Sequence, residues 1–413
     1  MGETVTPRGR PRLAVVVPSL TGEGGVPATA RFIKDVALRS DTFDLQLVSL
    51  CESARDPQSL RLTHPRSWMH GPAASTGVWE GLPFVHVGAM AGEFEFQRYR
   101  PRPVLTRALT GCDVVQVVSG SPAWANAVLG LGIPVSLHVA TRVRLERRQR
   151  DASPRSPSAL WRRAMTLITD SLDDRALRGV DAIQVMNPGL LDYARTLNAR
   201  RVVDTRHLPP GVNADFYHPR ETRGPQKDPY ILCVARLSDP RKRVSVLLEA
   251  YARMPEALRG QTSLVLAGSS APPDAFWRRA DTLGLRDRVR YVERPDQQAL
   301  LRLYQDASLF VLSSDEEGFG VVLLEAMACG VPVVSTRSGG PDAIITDGHD
   351  GYLVPVGDVA ALSSRMSLLL DEPQRNVAMG REARLTVERR YDERIAGEAF
   401  VDIWDRLAHQ GAG

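Results

Sequence analysis

Glu317 and Glu325 are spaced as Glu-x7-Glu around a short run in which glycine flanks an aromatic residue, Glu317-Gly318-Phe319-Gly320-Val321. The apolar stretch Leu309 to Leu312 stops at an acidic turn, Ser313 to Glu317. A second apolar series, rich in helix-forming Leu, Glu, Ala and Met, then leads to Gly330. This pattern predicts a strand, a loop and a helix whose N-terminus points at whatever lies above the strand end. Such an end offers backbone N–H groups and a positive partial charge, which suit a phosphate. Gly318 and Gly320 let a ligand approach the backbone closely. A carboxylate at the lip and another two helical turns inside can each accept hydrogen bonds from sugar hydroxyls, so the stretch reads as a cradle for a nucleotide sugar. Two Glu at this spacing alone are commonly solvated charges; the information lies in the whole run.

The run continues through Pro332-Val333-Val334-Ser335-Thr336, Gly339-Gly340 and Asp347-Gly348 to Gly351. From Glu317 onward it resembles glycosyltransferase family four, whose members are retaining enzymes of the GT-B architecture. The resemblance implies an α/β chain of two Rossmann-like, doubly wound parallel-sheet domains facing across a cleft, with a C-terminal helix crossing back to the N-domain. It assigns 1–216 to an acceptor domain, 217–229 to a linker, 230–392 to a donor nucleotide-sugar domain and 393–413 to the crossover helix. By the same resemblance Glu325 binds the ribose hydroxyls. Glu317, with the backbone N–H groups of Gly318, Phe319, Gly320 and Val321, holds the donor sugar.

Other positions take their roles from the same family pattern. Arg236 and Lys242, after the apolar run Tyr230–Ala235, match the Arg and Lys that embrace the diphosphate. The chemistry is sound, because Arg presents a planar fork to phosphate oxygens and Lys a mobile point charge. Together they stabilise a departing nucleoside diphosphate, so no metal or other cofactor is called for. The family has Gly after this Lys where Arg243 stands, so the loop either differs or gains a phosphate contact. Gly268 ends a strand under the nucleotide, and Arg294 lies where relatives surround the base, either stacking on it or facing water. Gly24 and Gly25 match a first loop that closes over the diphosphate, against a plain flexible loop as the alternative. His138, at a strand end, is either a structural cap or a pocket residue facing the donor sugar; the resemblance favours the pocket. Pro210 and Asn213 depart from the usual Asn and Asp near the end of the first domain.

The elements that must position these groups follow from hydrophobic pattern. Leu13–Val17, Leu45–Leu50, Phe84–Val87, Val114–Val118 and Val135–Val139 are apolar runs suited to buried parallel strands. Ala28 to Leu38 and Leu160–Leu177 have helical spacing, as do Val359–Leu370, Pro373–Tyr391 and Arg394–Leu407. No Gly-x-Gly-x-x-Gly follows Val17, which disfavours a dinucleotide. Asp56 to Gly81 reads as an irregular insertion near the acceptor side with exposed Trp68 and Trp79. Arg142, Arg144, Arg147, Arg148 and Arg150 crowd one stretch. They form either a solvated helix face or an anion-attracting rim for a phosphorylated acceptor or an acidic membrane surface.

At 413 residues the chain has room for two α/β domains. A 43% hydrophobic and 24% charged composition is ordinary for a soluble protein, and no apolar run reaches the roughly 20 residues of a membrane-spanning helix. With no signal-peptide core after the polar N-terminus, a cytoplasmic location is expected. Cys51, Cys112, Cys233 and Cys329 lack metal or disulfide spacing and are expected to be buried thiols. The net charge of +4 is too mild to mark a nucleic-acid partner.

These readings converge on a metal-independent, retaining hexosyl-type transferase. It would move a sugar from a UDP- or GDP-linked donor to a small-molecule acceptor, phosphorylated or a natural-product or thiol precursor. No carboxylate is placed as a covalent nucleophile, so the resemblance points to same-face displacement. Two alternatives stand beside it: a nucleotide-sugar 2-epimerase of the same fold, which needs no acceptor, and a non-catalytic module binding anions or nucleic acid through the Arg run. Peripheral membrane contact is compatible with the transferase reading.

Overall fold

A computed structural model describes residues 9–20, 25–147, 157–221 and 228–410. The chain divides into two compact units, Met1–Pro210 with Ala396–Gly413, and Gly211–Ile395.

In the first unit the described strands are β1 (Arg12–Val17), β2 (Asp44–Leu50), β3 (Ala74–Trp79), β4 (Leu82–Val87), β5 (Val114–Ser119), β6 (Val135–Val139), β7 (Ala182–Val185) and β8 (Asp204–His207). They form one sheet in the order β3-β4-β2-β1-β5-β6-β7-β8. Every pairing is parallel except β3 with β4. Inner strands are apolar at successive positions because helices cover both faces. On one face, α1 (Gly25–Ser40) brings Phe32, Ile33 and Val36 against Leu13, Val15 and Val17. On the other, α3 (Pro157–Gly179) brings Ala176 and Leu177 against Val117 and Leu137. The short α2 (Val143–Glu146) precedes α3, and α4 (Pro188–Leu197) follows β7.

The stretch expected to be an irregular insertion contains a strand. β3 pairs antiparallel with β4 along Ala74–Trp79, reached through the tight turn of Glu80 and Gly81, both at positive φ. Trp79 is buried, with the Lys34 ammonium 5.4 Å from its ring centre, whereas Trp68 is exposed. Composition hid β3 because it is an edge strand, whose alternating exposure needs few apolar residues.

The second unit is an all-parallel sheet of β9 (Tyr230–Val234), β10 (Ser263–Gly268), β11 (Val289–Glu293), β12 (Leu309–Leu312), β13 (Val333–Thr336) and β14 (Tyr352–Val354). Its order among the described residues is β11-β10-β9-β12-β13-β14. The chain thus winds outward from β9 in one direction and then restarts beside it with β12. Doubly wound sheets place ligands outside the carboxyl ends of the strands at such a reversal. The flanking helices used below are α5 (Val244–Ala252), α6 (Val321–Ala328), α7 (Val359–Asp371) and α8 (Pro373–Arg390). In α8, Arg384 Nη1 donates to the carbonyls of Ala214, Tyr217 and Ala328 at 2.9, 2.6 and 2.8 Å, pinning the start of the unit to the end of α6.

The last helix, α9 (Glu393–Gln410), begins in the second unit, and from Ala396 it belongs to the first. Ala396, Phe400, Ile403, Trp404 and Leu407 recur at helical spacing and join the core around β1 and α1. Trp404 is fully buried, and its Nε1–H donates to Gln116 Oε1 at 2.8 Å. The same oxygen accepts from Ser136 Oγ at 2.8 Å, so a polar network fixes the register of a helix otherwise held by apolar contact. Trp404→Ala removes both the indole volume and that donor. It is expected to cost about 3–5 kcal/mol in the denaturant-induced transition of the first unit, with the second unit's transition unmoved.

Candidate functional site

The site assembles at the β9/β12 reversal. After β9 the chain runs through Arg236 into a single tight turn, Pro240–Lys242, capped by Asp239, whose carboxylate accepts the N–H of Arg241 at 3.0 Å. Burial alone would raise the pKa of Asp239; the hydrogen bonds from Arg241, with the charges of Arg241 and Arg236, outweigh it and hold the group below its ordinary range. Arg236 is half-exposed and reaches Asp239 Oδ2 at 3.3 Å.

Arg243, where the family pattern has glycine, adopts the left-handed conformation a glycine would take, with φ 48° and ψ 41°. The loop therefore keeps its course, and the side chain ion-pairs with Asp315 at 3.1 Å. A non-glycine residue there carries a backbone cost on the order of 1 kcal/mol, against which this pair and the start of α5 are set.

The loop after β12 is strapped to the loop after β9. Ser313 Oγ donates to the carbonyls of Lys242 and Arg243 at 3.0 and 3.1 Å, and the N–H of Asp315 donates to the carbonyl of Arg241 at 2.8 Å. On its other side, the N–H of Glu317 donates to Ser338 O, and the N–H of Gly340 to Glu317 O, both at 2.8 Å. This explains the Gly339-Gly340 pair: Gly339 has φ 103°, and a Cβ on Gly340 would stand 2.3 Å from Phe319 O. Phe319 is buried and acts as the anchor of the loop. Gly320, at φ 99°, turns the chain into α6.

The two loops meet side chain to side chain. Lys242 Nζ lies 2.5 Å from Glu317 Oε2, with both groups mostly buried, and Ser314 Oγ sits 3.4 Å from the same oxygen. An ammonium and a carboxylate are thus held together beside the start of α6, whose first N–H groups lack intrahelical partners by geometry. One turn further into α6, Glu325 Oε2 accepts from the Tyr304 hydroxyl at 2.7 Å, and Tyr217 also donates to this carboxylate. Burial pushes the Glu325 pKa up to about 7, against the two phenols, which favour its charged form. Among the described residues, no group of three or more His, Cys, Asp or Glu side chains could hold a metal ion.

Two further residues singled out from sequence lie along this same strand edge. A Cβ on Gly268 would stand 2.0 Å from Ala235 O, so glycine is required for β10 to pass the β9 loop. Arg294, exposed at φ 40°, donates its N–H to Gly268 O at 2.9 Å. Arg236, Lys242, Gly268, Arg294, Glu317, the 318–321 loop and Glu325 are therefore brought to one edge of the second unit. Tyr304, Asp315 and Ser313 were not anticipated. They partner site residues across long stretches of chain, and nothing local distinguishes them.

The residues placed in the first unit fare differently. Gly25 is the first residue of α1, with open space around it, while Gly24 lies outside the described residues. His138 is fully buried within its sheet. Its Nε2–H donates to Leu208 O at 3.2 Å, and its ring packs against Phe400 at 5.6 Å. Burial, only partly offset by that carbonyl, lowers its pKa to about 4. The pocket role drawn from the resemblance gives way to the structural one: a neutral imidazole tying β6 to the chain after β8.

The cationic rim also contracts. Arg142 is mostly buried, held by Asp170 Oδ1 at 2.6 Å and Asp174 Oδ1 at 3.2 Å, and its guanidinium stacks 3.8 Å from the centre of Tyr193. Arg147 pairs with Glu95 and is also mostly buried. Arg144 remains exposed, 4.0 Å from Asp170. Arg148 and Arg150 lie outside the described residues. All four cysteines are buried thiols, and no disulfide joins them.

Comparison with known proteins gives this geometry a context. Residues 217–386 match the family described as glycosyl transferases group 1. A GDP-mannose-dependent alpha-(1-6)-phosphatidylinositol monomannoside mannosyltransferase of Mycolicibacterium smegmatis is 35% identical over 191 residues, 42% of this chain and 49% of the relative. D-inositol 3-phosphate glycosyltransferase 2 of Catenulispora acidiphila is 34% identical over 211 residues, 48% of this chain and 49% of the relative. The chain thus spans about half the length of these curated relatives. Among solved structures, sucrose-phosphate synthase from Thermosynechococcus elongatus superposes with a TM-score of 0.70 at 19% identity, covering 96% of this chain and 99% of that one. Anabaena HepE, solved with UDP and glucose, gives 0.65 at 15% identity, covering 95% and 99%. At these identities the structures speak to fold, and the fold is GT-B. Over residues 217–386, the chain is similar to the group 1 glycosyl transferases.

Proposed function

We propose that the protein is a retaining, metal-independent transferase that moves a hexosyl group from a nucleoside diphosphate sugar, UDP- or GDP-linked, to a small hydroxyl- or thiol-bearing acceptor. The observation that carries this reading is the Lys242–Glu317 pair at 2.5 Å beside the start of α6, at the strand reversal of a doubly wound sheet. Without ligand the two charges satisfy each other. A donor would separate their tasks: its diphosphate takes Lys242 and Arg236, and its sugar hydroxyls donate to Glu317. The site is then preorganised for negative charge that grows on the leaving diphosphate, and such preorganisation is the largest catalytic effect a site of this kind can supply.

In this reading Glu317 is occupied by the sugar hydroxyls and Glu325 by the ribose, so neither carboxylate is assigned as a covalent nucleophile. The acceptor oxygen therefore attacks the anomeric carbon on the face the diphosphate leaves. A departing phosphate oxygen takes the acceptor proton. Glu325 in this reading receives the ribose hydroxyls. The group 1 match over the same residues and the nucleotide-sugar enzymes among the relatives support it.

Thermal unfolding in the presence of UDP-, GDP-, ADP- and TDP-sugars tests donor use directly. One base class is expected to raise the second unit's midpoint with concentration, about 2.7 kcal/mol of stabilisation at a hundredfold excess over Kd. Product NMR with the best donor and a hydroxyl acceptor should then show the donor's anomeric configuration preserved. No shift with any donor at millimolar concentration, or an inverted product, defeats the proposal.

A further inference from the structure

Glu325 is a carboxylate in an apolar setting. In α6 its neighbours Leu323, Leu324, Ala326, Met327 and Ala328 are buried, and the groups that act on it are phenols rather than cations. Burial alone favours the protonated acid, the poorer acceptor for hydroxyls. Against this, the Tyr304 hydroxyl donates to Oε2 at 2.7 Å, and Tyr217 donates to the same carboxylate. The two phenols come from separate segments, Tyr304 from the helix Gln297–Gln305 and Tyr217 from the start of the second unit. Packing sets where their rings lie. Tyr304 is fully buried, 5.8 Å from Phe310 of β12 and 5.9 Å from Tyr217, and Tyr217 meets Phe216 edge-on at 4.9 Å. Arg384 holds the Tyr217 carbonyl at 2.6 Å. Both donors are therefore in place before any ligand arrives, supported by contacts that do not involve Glu325.

We propose that Tyr304 and Tyr217 are positioning residues for the nucleotide: together they keep Glu325 charged and oriented in its buried site, so that a ribose meets an acceptor at neutral pH. The inference rests on the reading of Glu325 as the ribose acceptor and adds two residues that act through it. A carboxylate has about four lone-pair sites. The phenols take two and leave about two, the number that the 2′- and 3′-hydroxyls of a ribose fill. The groups facing Glu325 are these phenols, the Cys329 thiol whose charge Tyr304 feels, and Arg384 through the carbonyls of Tyr217 and Ala328. A donor to the charged form lowers a carboxyl's pKa, so removing one raises it. With both phenols present Glu325 titrates at about 7. Losing either one leaves it protonated through the neutral range.

Tyr304→Phe and Tyr217→Phe test this, since each keeps its ring and deletes only the hydroxyl. In carboxyl ¹³C NMR of the ligand-free protein, the Glu325 signal is identified by its loss in Glu325→Gln. Its midpoint is expected near 7 in the wild type and about one to two pH units higher in each variant. Calorimetric affinity for UDP or GDP should follow. Relative to wild type, each variant should bind roughly 5- to 50-fold more weakly at pH 7 and within about twofold at pH 9. A purely structural role predicts the same loss at every pH, and that result overturns the proposal. An unmoved midpoint in both variants overturns it alone and leaves Glu325 at the ribose. If the midpoint moves but affinity does not follow, or the wild type binds neither nucleotide, the ribose assignment fails and the proposal falls with it.

Discussion

Lys242→Ala is expected to lower sugar transfer by roughly 10²–10³-fold at saturating donor, the loss typical of deleting one preorganised stabiliser of developing negative charge. Affinity for the free nucleotide should fall far less, because the proposed ribose contact, Glu325, is a separate group further into α6. The reason is positional: Lys242 stands in the turn after β9 and meets Glu317 at 2.5 Å, beside the start of α6, where a diphosphate would end and a sugar begin. Removing it also leaves Glu317 mostly buried, with Ser314 as its near polar neighbour. A modest loss of stability should accompany the kinetic effect and be relieved by the double variant with Glu317→Gln. Single-turnover rates and calorimetric nucleotide affinity on the same preparation separate the two effects. Transfer at the wild-type rate by Lys242→Ala would remove the central assignment.

What the sequence revealed here was local. The apolar run Leu309–Leu312, the punctuating glycines and the helix formers after Val321 prescribe strand, loop and helix without reference to the rest of the chain. Gly320, Gly339 and Gly340 meet backbone demands that no other residue meets cheaply. Arg243 shows the limit of that reasoning, since it occupies a glycine's conformation and is held through Asp315, far along the chain. Which strands lie side by side is not written in periodicity, and the site depends on β9 lying next to β12. Long-range pairing hid the same way. The arginine run looks like an open cationic surface until Asp170, Asp174 and Glu95 are known to face it. His138 has the position of a pocket residue but the surroundings of a core one, because Phe400, from the last helix, packs against it. Trp79 and β3 escaped because an edge hairpin rich in small residues resembles a loop.

Glu325 should make nucleotide binding depend on pH near neutrality. Burial holds its pKa at about 7, above its ordinary value, so near neutral pH the unliganded protein carries a mixture of acid and carboxylate. Ribose hydroxyls are donors and select the carboxylate. Affinity is thus expected to improve as pH rises through 7, to level off above it, and to weaken by up to about tenfold per unit below it. Stability runs the other way. A carboxyl whose folded pKa is raised binds its proton more tightly when folded, so its contribution is greatest at low pH. That contribution declines as pH climbs from the unfolded value toward 7, by at most on the order of 3 kcal/mol. Glu325→Gln should accordingly be at least as stable as the wild type at pH 8, converge with it or fall below near pH 4.5, and bind nucleotide roughly 10- to 100-fold more weakly at pH 8, as expected for losing charged hydrogen bonds. Its residual affinity should be flat between pH 6 and 8. A variant that retained the wild-type pH profile would place the titrating group elsewhere and separate Glu325 from the ribose.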